Sequence, residues 1–260
     1  MKIEVLLSCM NQEDFSIINR SNLQKVNTVV VNQCDTDREE VLTEEIHRMV
    51  KTPTRGLSVS RNIAIEHATA DVCLLADDDE RFDLNLEEII TKTYSSYPEA
   101  DVIIFKITNK VKKLGNKARR LKKLDLLRVC SVQISFRLSS VKGVVSFDPK
   151  LGAGSGNGTS EENKFLLDCY KKKLKIQYVP VEIASLLDAE STWYRGHNEE
   201  FFFNRGKTTR YIMGVFLATL YALYYLPVKY HEYKGQISVW KAAKCMRKGL
   251  FTKNIDARYK

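Results

Sequence analysis

The sequence predicts an α/β protein with a mixed, mainly parallel central sheet, followed by a C-terminal helical region of different character. Three observations carry that prediction. Over the first hundred residues, short β-branched runs alternate with helix-period stretches, as in strands joined by helical crossovers. Val72 to Ala76 reads as a buried strand that runs straight into three aspartates, and open α/β sheets bind ligands beyond the carboxyl ends of their strands. Tyr211 to Val228, YIMGVFLATLYALYYLPV, carries no charge.

Ile3 to Ser8 and Thr28 to Asn32 read as strands. Phe15 to Lys25 and Arg38 to Lys51 read as helices, the second carrying Val41, Leu42, Ile46, Met49 and Val50. Pro53 and Gly56 break the chain before a helix from Leu57 to His67. After the strand at Val72 comes another, Val102 to Ile107. Lys106 to Arg128 then holds ten basic residues and one acidic one, the composition of a flexible arm or a partly helical basic face. Val132 to Leu138 resumes strand-like alternation, and Leu151 to Ser160, LGAGSGNGTS, is a glycine-rich loop. Glu161 to Lys173 reads as a helix with Phe165, Leu166 and Leu167 apolar, and Lys175 to Val179 as a strand ended by Pro180.

The uncharged segment near the C-terminus is at the lower limit for spanning a bilayer. Its aromatics, Pro227 and the flanking Arg205, Lys207, Arg210 and Lys229 favour a helix lying in the membrane interface. A buried core helix is the alternative reading.

Length and composition, 260 residues with 44% hydrophobic content, suit a packed core. Lys and Arg total 41 against 32 Asp and Glu, a formal charge of +9, so an anionic partner is expected: nucleic acid, nucleotide, phosphorylated lipid or membrane surface. The six cysteines are scattered, with no CxxC pair and no histidine at zinc-ligand spacing. They are expected to be reduced, mostly buried thiols of a cytosolic protein. Glu4 interrupts the apolar N-terminus and no small-residue cleavage site follows, so no signal peptide is expected.

Three features bear on chemistry. Asp77, Asp78 and Asp79 are adjacent like charges, which repel and lose solvation unless a cation offsets them. Mg²⁺ or Mn²⁺ typically takes one or two carboxylates and completes its shell with water and substrate phosphate. A solvated acidic turn is the plain alternative. Upstream, in RGLSVSRN from Arg55 to Asn62, a glycine and two serines open a helix whose free N–H groups suit a phosphate, and Arg61 adds a charge-assisted donor. Taken alone this is an ordinary capped helix. Downstream, the glycine loop delivers Glu161 and Glu162 to a helix start. Such glutamates usually complement the helix dipole, but one beside a glycine loop is also placed to act as a general base on a hydroxyl. The alternating glycines resemble a phosphate-binding fingerprint only superficially, because no long buried strand precedes them.

Here the residues resemble a known family. RGLSVSRNIAIEHATADVCLLADDDERF is similar to the G-x-S-x-x-RN segment, strand and DXD motif of family-2 glycosyltransferases with the GT-A fold. LGAGSGNGTSEENKFLLDCYKKKLKIQYVP is similar to their acceptor-side segment, and the two together cover most of residues 1 to 185. The resemblance extends to bacterial capsular, exopolysaccharide and other surface-glycan sugar transferases. It implies a Rossmann-like GT-A domain over 1–200, with a nucleotide-sugar half at 1–108, a basic arm at 109–128 and an acceptor half at 129–200. A helical, basic, membrane-peripheral region would follow at 201–260.

The resemblance further implies that Asp77 and Asp79 frame the DXD motif with Mn²⁺ or Mg²⁺, Asp79 being the preferred direct ligand and Asp78 near the ribose. Asn32, Gln33 and Asp35 would face the base and Arg61 the diphosphate or base. Glu162 stands where most members carry the catalytic Asp, one methylene longer, so the choice between Glu161 and Glu162 stays open. Trp193 and His197 are candidates for the acceptor or diphosphate pocket, alongside plain core and surface roles. The implied reaction is inverting transfer from a nucleoside-diphosphate sugar, by preference a UDP-sugar, to a hydroxyl of a glycan carried on polyprenyl diphosphate. The enzyme would sit in the cytoplasm, peripheral on the inner face of the membrane.

Rival readings remain. The basic 106–128 stretch suits nucleic acid, but it lacks aromatic interleaving and any RNA-binding or zinc motif, so no nucleic-acid partner is expected. A nucleotidyltransferase would carry a basic glycine loop after the first strand, where this chain has SCMNQED. A non-catalytic homologue that only binds nucleotide is kept open by the Glu-for-Asp departure.

Overall fold

The computed structural model describes residues 1–108, 114–187, 196–252 and 255. The chain divides into two compact units, Met1–Asp148 with Glu162–Ala189, and Pro149–Glu161 with Glu190–Lys260.

The first unit is the sheet unit. Its strands are β1 (Ile3–Met10), β2 (Asn27–Gln33), β3 (Glu40–Glu44), β4 (His47–Thr52), β5 (Val72–Asp77), β6 (Glu80–Phe82), β7 (Val102–Thr108), β8 (Arg119–Arg120), β9 (Ile134–Arg137) and β10 (Ile176–Leu186). Its helices are α1 (Ser16–Arg20), α2 (Leu57–His67), α3 (Leu86–Ser96), α4 (Leu138–Val141) and α5 (Glu161–Lys171), whose first residue belongs to the other unit. Spatial order runs β3-β4-β2-β1-β5-β9-β7-β10-β6, with β8 on β10. The β4-β2-β1-β5 block is parallel, β9 runs antiparallel between β5 and β7, and β7 and β10 are parallel. The expected mixed, mainly parallel sheet is present. After β1 the chain builds outward through β2 to β4, then returns to β1's other side as β5. That reversal opens a crevice at the carboxyl ends of β1 and β5. Runs such as Val5-Leu6-Leu7 and Val29-Val30-Val31 are wholly buried, as strands covered on both faces require.

Several elements differ from the sequence reading. Arg38 to Lys51 is no helix: β3 and β4 form a hairpin closed by Glu45-Ile46, with Glu44 opposite His47 and Glu45 at φ 52°. β4 continues the sheet beside β2, which buries Met49 and Val50 completely, and that pairing overrides a spacing that also fits a helix face. The helix after Phe15 lasts only from Ser16 to Arg20, because Asn22 turns left-handed at φ 60° and Leu23 N–H closes onto the Ile18 carbonyl. β10 runs through Pro180, where a register irregularity between Tyr178 and Glu182 removes the need for its missing donor. The strand expected from Val132 is confined to Ile134–Arg137, and β6 and α3 are additional to the elements the sequence predicts.

The basic stretch is also corrected. Residues 109–113 lie outside the described ones, but the rest is neither an arm nor a helical face. Leu114, Leu121 and Leu126 are buried, β8 pairs with β10, and a short 3₁₀ turn spans Asp125–Arg128. Arg119 forks onto Asp125 at 2.7 and 2.8 Å.

The second unit contains α6 (Glu199–Val228), α7 (Tyr230–Tyr233) and α8 (Val239–Phe251). Asn198 caps α6 by accepting from Phe201 N–H at 2.9 Å. Gly214, at φ 80° and ψ 165°, breaks the helix into two segments. Phe202, Ala218, Ala222, Tyr225, Tyr233 and Met246 are among the residues forming this unit's core. The helices α6 and α8 cross closely: a Cβ on Gly249 would fall 2.0 Å from the Phe203 carbonyl oxygen, and one on Gly206 2.2 Å from that of Met246. All six cysteines are free thiols, and burial pushes those of Cys9 and Cys169 up to about 12.

Candidate active site

The Asp triplet lies where β5 ends. Asp77 is the last residue of β5 and pairs in register with Ser8 of β1, while Asp78 and Asp79 turn the chain into β6. The buried Glu80 folds back to accept the Asp77 N–H at 3.0 Å, and the Asp79 carbonyl accepts from Leu187 N–H at 2.8 Å. The turn is therefore fixed from both sides.

From α2, Arg61 reaches the same place. Gly56, at φ 101°, starts the helix and accepts from Gln33 Nε2, and Ser60 hydrogen-bonds Ser8 at 2.8 Å. These contacts hold the helix start against the ends of β1 and β2. Arg61 is fully buried and its Nη2 contacts Asp77 Oδ1 at 2.8 Å and Oδ2 at 3.2 Å, with Ser131 Oγ 3.4 Å from Oδ2. The Asp77 carboxylate thus has a cation from its own chain. Asp78 does not share that relief: burial first, and then the charge of Asp77, raise its carboxyl above the ordinary range.

Phe147 is the residue that sequence reasoning missed. It lies under Arg61 with the guanidinium carbon 5.4 Å from the ring centroid, stacks on Phe165 at 4.3 Å, and is clamped by Asn62 through both its N–H and its carbonyl. Phe165 is one helical turn into α5, so within the sheet unit the contact path Asp77–Arg61–Phe147–Phe165 ties the triplet to the helix that carries Glu162. Asn163, the residue after Glu162, donates to the Leu126 and Val129 carbonyls. Glu161 is buried and Glu162 half-buried. The only available signal for Phe147 was an isolated aromatic ahead of the glycine loop.

In the loop itself Gly152, Gly154, Gly156 and Gly158 all have positive φ, between 76° and 92°, a path that side-chain-bearing residues rarely follow. Ser155 and Asn157 tie it internally, to the Gly152 and Lys150 carbonyls.

The three expected base-facing residues differ in their surroundings. Asn32 is buried in a reciprocal pair with the Gln12 backbone at 3.0 and 2.6 Å, and Gln33 binds Thr54 and Gly56. Asp35 is open and bonds Arg55 at 2.5 Å, on the wall of a shallow pocket of about 460 Å³ formed by Cys34–Asp37, Pro53 and Arg55. His197 lies in the second unit among Phe201, Phe202 and Tyr233, with its N–H on Gln236 and its basicity lowered by burial. Trp193 lies outside the described residues.

Among the described residues no three His, Cys, Asp or Glu side chains converge as a ready-made metal cage. The donor chemistry still suits Mg²⁺ or Mn²⁺, which need only one or two carboxylates when substrate phosphates supply the rest. A cation there would offset the burial and the neighbouring Asp77 charge that together raise the Asp78 carboxyl.

Comparison with known proteins agrees with this geometry. Residues 4–144 match the family model described as Glycosyl transferase family 2. No curated protein matches the chain. The structure of S. aureus TarS 1-349 in complex with UDP-GlcNAc is similar with a TM-score of 0.58 and 15% identity, covering 96% of this chain and 72% of that one. TarS 1-349 in complex with UDP gives 0.59 and 14%, covering 93% and 77%. A longer S. aureus TarS structure gives 0.56 and 15%, with 96% of this chain and 43% of that one covered. Identities this low establish a shared fold.

Proposed function

Because the chain belongs to glycosyl transferase family 2 and is a nucleotide-sugar glycosyltransferase, we propose that it moves a sugar from a UDP-sugar to a glycan hydroxyl with inversion at the anomeric carbon. The acceptor in this reading is a glycan on polyprenyl diphosphate, in the synthesis of a bacterial surface polysaccharide. The observation that carries the proposal is the path from Asp77 through Arg61 and Phe147 to Phe165, which joins a diphosphate-side cluster to the start of α5. The complexes of TarS with UDP-GlcNAc and UDP support the choice of donor.

In this mechanism Asp35 and Arg55 line the pocket that takes the base, and Asp78 meets the ribose. Arg61 fixes Asp77 and adds positive charge on the diphosphate side. Asp79 would hold Mn²⁺ or Mg²⁺ directly, with Asp77 as the other carboxylate of the motif. The metal, when bound, offsets negative charge on the departing diphosphate. Glu162 accepts the proton of the acceptor hydroxyl as that oxygen bonds to the anomeric carbon and the bond from carbon to diphosphate oxygen breaks. Proton acceptance by a positioned side chain contributes about 10²–10⁴-fold. Glu162 is the more open of the two glutamates, and Glu161 is its alternative.

The test measures UDP-sugar turnover and thermal stabilisation by UDP, with and without Mn²⁺, in the wild type, Asp79→Ala, Glu161→Gln and Glu162→Gln. Glu162→Gln is expected to lose about 10²–10⁴-fold in turnover and to keep UDP binding. Donor stabilisation that survives loss of both Asp79 and metal would overturn the reading.

A further inference from the structure

The second unit displays what a folded protein ordinarily hides. On α6 the residues Ala218, Ala222 and Tyr225 face this unit's core, and the opposite side presents Phe216, Leu220, Leu223 and Tyr224 at 73%, 50%, 67% and 63% exposure. The spacing i, i+4, i+7, i+8 makes these one continuous helical stripe. On α8 the inner face, Ala242, Cys245, Met246 and Leu250, is likewise packed, and the outer face runs from Trp240, 85% exposed, through Lys244, Arg247 and Lys248 to Phe251, 68% exposed. From Lys234 to Thr252 there are five Lys and Arg and no Asp or Glu.

Length decides between crossing a bilayer and lying on it. By composition α6 is long and apolar enough to cross. Gly214 leaves the helical path, however, so the apolar helix proper is Val215–Val228, about 21 Å at roughly 1.5 Å per residue, against a hydrocarbon core of about 30 Å. One side of it is also committed to the unit's own core. What remains is one apolar stripe about the depth of a single acyl boundary, accompanied by a helix that contains no acid of its own, whose Lys241 is paired with Glu199 of α6 and whose Lys244, Arg247 and Lys248 are exposed.

We propose that the second unit is a docking surface for an anionic lipid bilayer, with the Phe216–Leu220–Leu223–Tyr224 stripe entering the interface and Lys244, Arg247 and Lys248 contacting phosphate headgroups. Charge complementarity selects that occupant: a second copy of this chain would set its cations against the same cations. The close α6–α8 crossing at Gly206 and Gly249 holds the stripe and the cations as parts of one packed unit. This surface is separate from the donor chemistry, and lipid and donor binding can fail independently.

The test is sedimentation of the full chain with vesicles of phosphatidylcholine alone and of an equimolar mixture with phosphatidylglycerol, at low and high salt. Binding is expected to the mixed vesicles, weakened by salt and released by an alkaline carbonate wash. The triple change Phe216→Ser, Leu220→Ser, Leu223→Ser should lower the bound fraction at least about tenfold, since it takes a side chain's worth of apolar area out of the inserting stripe at each position. Lys244→Glu, Arg247→Glu, Lys248→Glu should abolish the preference for phosphatidylglycerol. Both variants should keep UDP-dependent stabilisation, which reports a folded sheet unit. Retention after carbonate, equal binding to both vesicles, or self-association that the serine variant abolishes with no vesicle binding by the wild type would each overturn the proposal.

Discussion

The two units of this chain dispose of the same raw materials in opposite ways. In the sheet unit the apolar residues of β1, β2 and β5 are wholly buried and its basic residues find carboxylates: Arg48 on Glu4 at 2.6 Å, Arg61 on Asp77 at 2.8 Å, Arg119 on Asp125 at 2.7 Å. The helical unit keeps Phe216, Leu223 and Trp240 outward. It pairs Lys229 with Glu232 and Lys241 with Glu199, yet the stretch from Lys234 to Thr252 holds no acid of its own and leaves Lys244, Arg247 and Lys248 exposed. A net charge of +9 therefore has two meanings in one molecule. In the first unit the buried cations are met by internal pairing, and in the second Lys244, Arg247 and Lys248 of α8 stay exposed and available to a partner.

If internal pairing is what completes the sheet unit, removing its most buried cation should have the largest effect. Arg61 has 1% of its side chain exposed against 26% for Asp77. Breaking a buried pair by removing one partner costs about 3–5 kcal/mol, and the open quarter of Asp77 puts Arg61→Met near the lower end. Denaturant unfolding of the full chain should show that loss, and Asp77→Asn added to it should restore part by removing the stranded charge. A loss under about 1 kcal/mol would make this pair no better than a surface bridge and would erase the contrast between the units.

The helical unit should instead be sensitive to backbone spacing. A Cβ at position 249 would stand 2.0 Å from the Phe203 carbonyl oxygen and 2.8 Å from Lys207 N, so Gly249→Ala forces α6 and α8 apart. Overpacking of this kind costs about 1–3 kcal/mol. Hydrogen exchange should speed up across α8 and leave β1 and β5 unchanged. Equal loosening of both units would show that they do not unfold separately.

The same division explains what could be read from the sequence. The site's backbone was legible because its signals are local: a helix from Leu57 to His67, a buried strand ending in aspartates, a glycine loop opening a helix. Arg38 to Lys51 was misread because its apolar spacing suits a helix face, and only the open edge of β2, a partner distant in sequence, makes it a hairpin. Pro180 ended a strand on paper because a bulge cannot be seen in one strand alone. Within the site, the Arg61–Asp77 pair and the Phe147 stack depend on contacts across 16, 86 and 18 positions of sequence (77 − 61, 147 − 61, 165 − 147), and no motif encodes such a path. The exposed stripe on α6 was legible as an uncharged run, but which side would face outward was not.

The smallest effect tests the basic stretch, where the sequence suggested an arm and the structure has a clamp. Asp125 accepts both Arg119 Nη atoms and the Lys122 N–H, and the Arg119 guanidinium, the largest influence, holds its carboxyl down to about 2. A carboxyl lowered in the folded state contributes stability that is present above its unfolded value, about 3.9, and is lost as the pH falls through about 2. Arg119 is 38% exposed, so solvent screening limits the pair to about 1 kcal/mol or less. Asp125→Asn should therefore destabilise the chain slightly near neutral pH, and the gap from wild type should narrow as the pH is taken down toward 3 and as salt is raised. A gap independent of both would mean that packing of Leu121 and Leu126, with no help from charge, holds this segment on β10. The basic stretch would then keep its cations as available as those of α8, and the contrast drawn between the two units would rest on apolar surface alone.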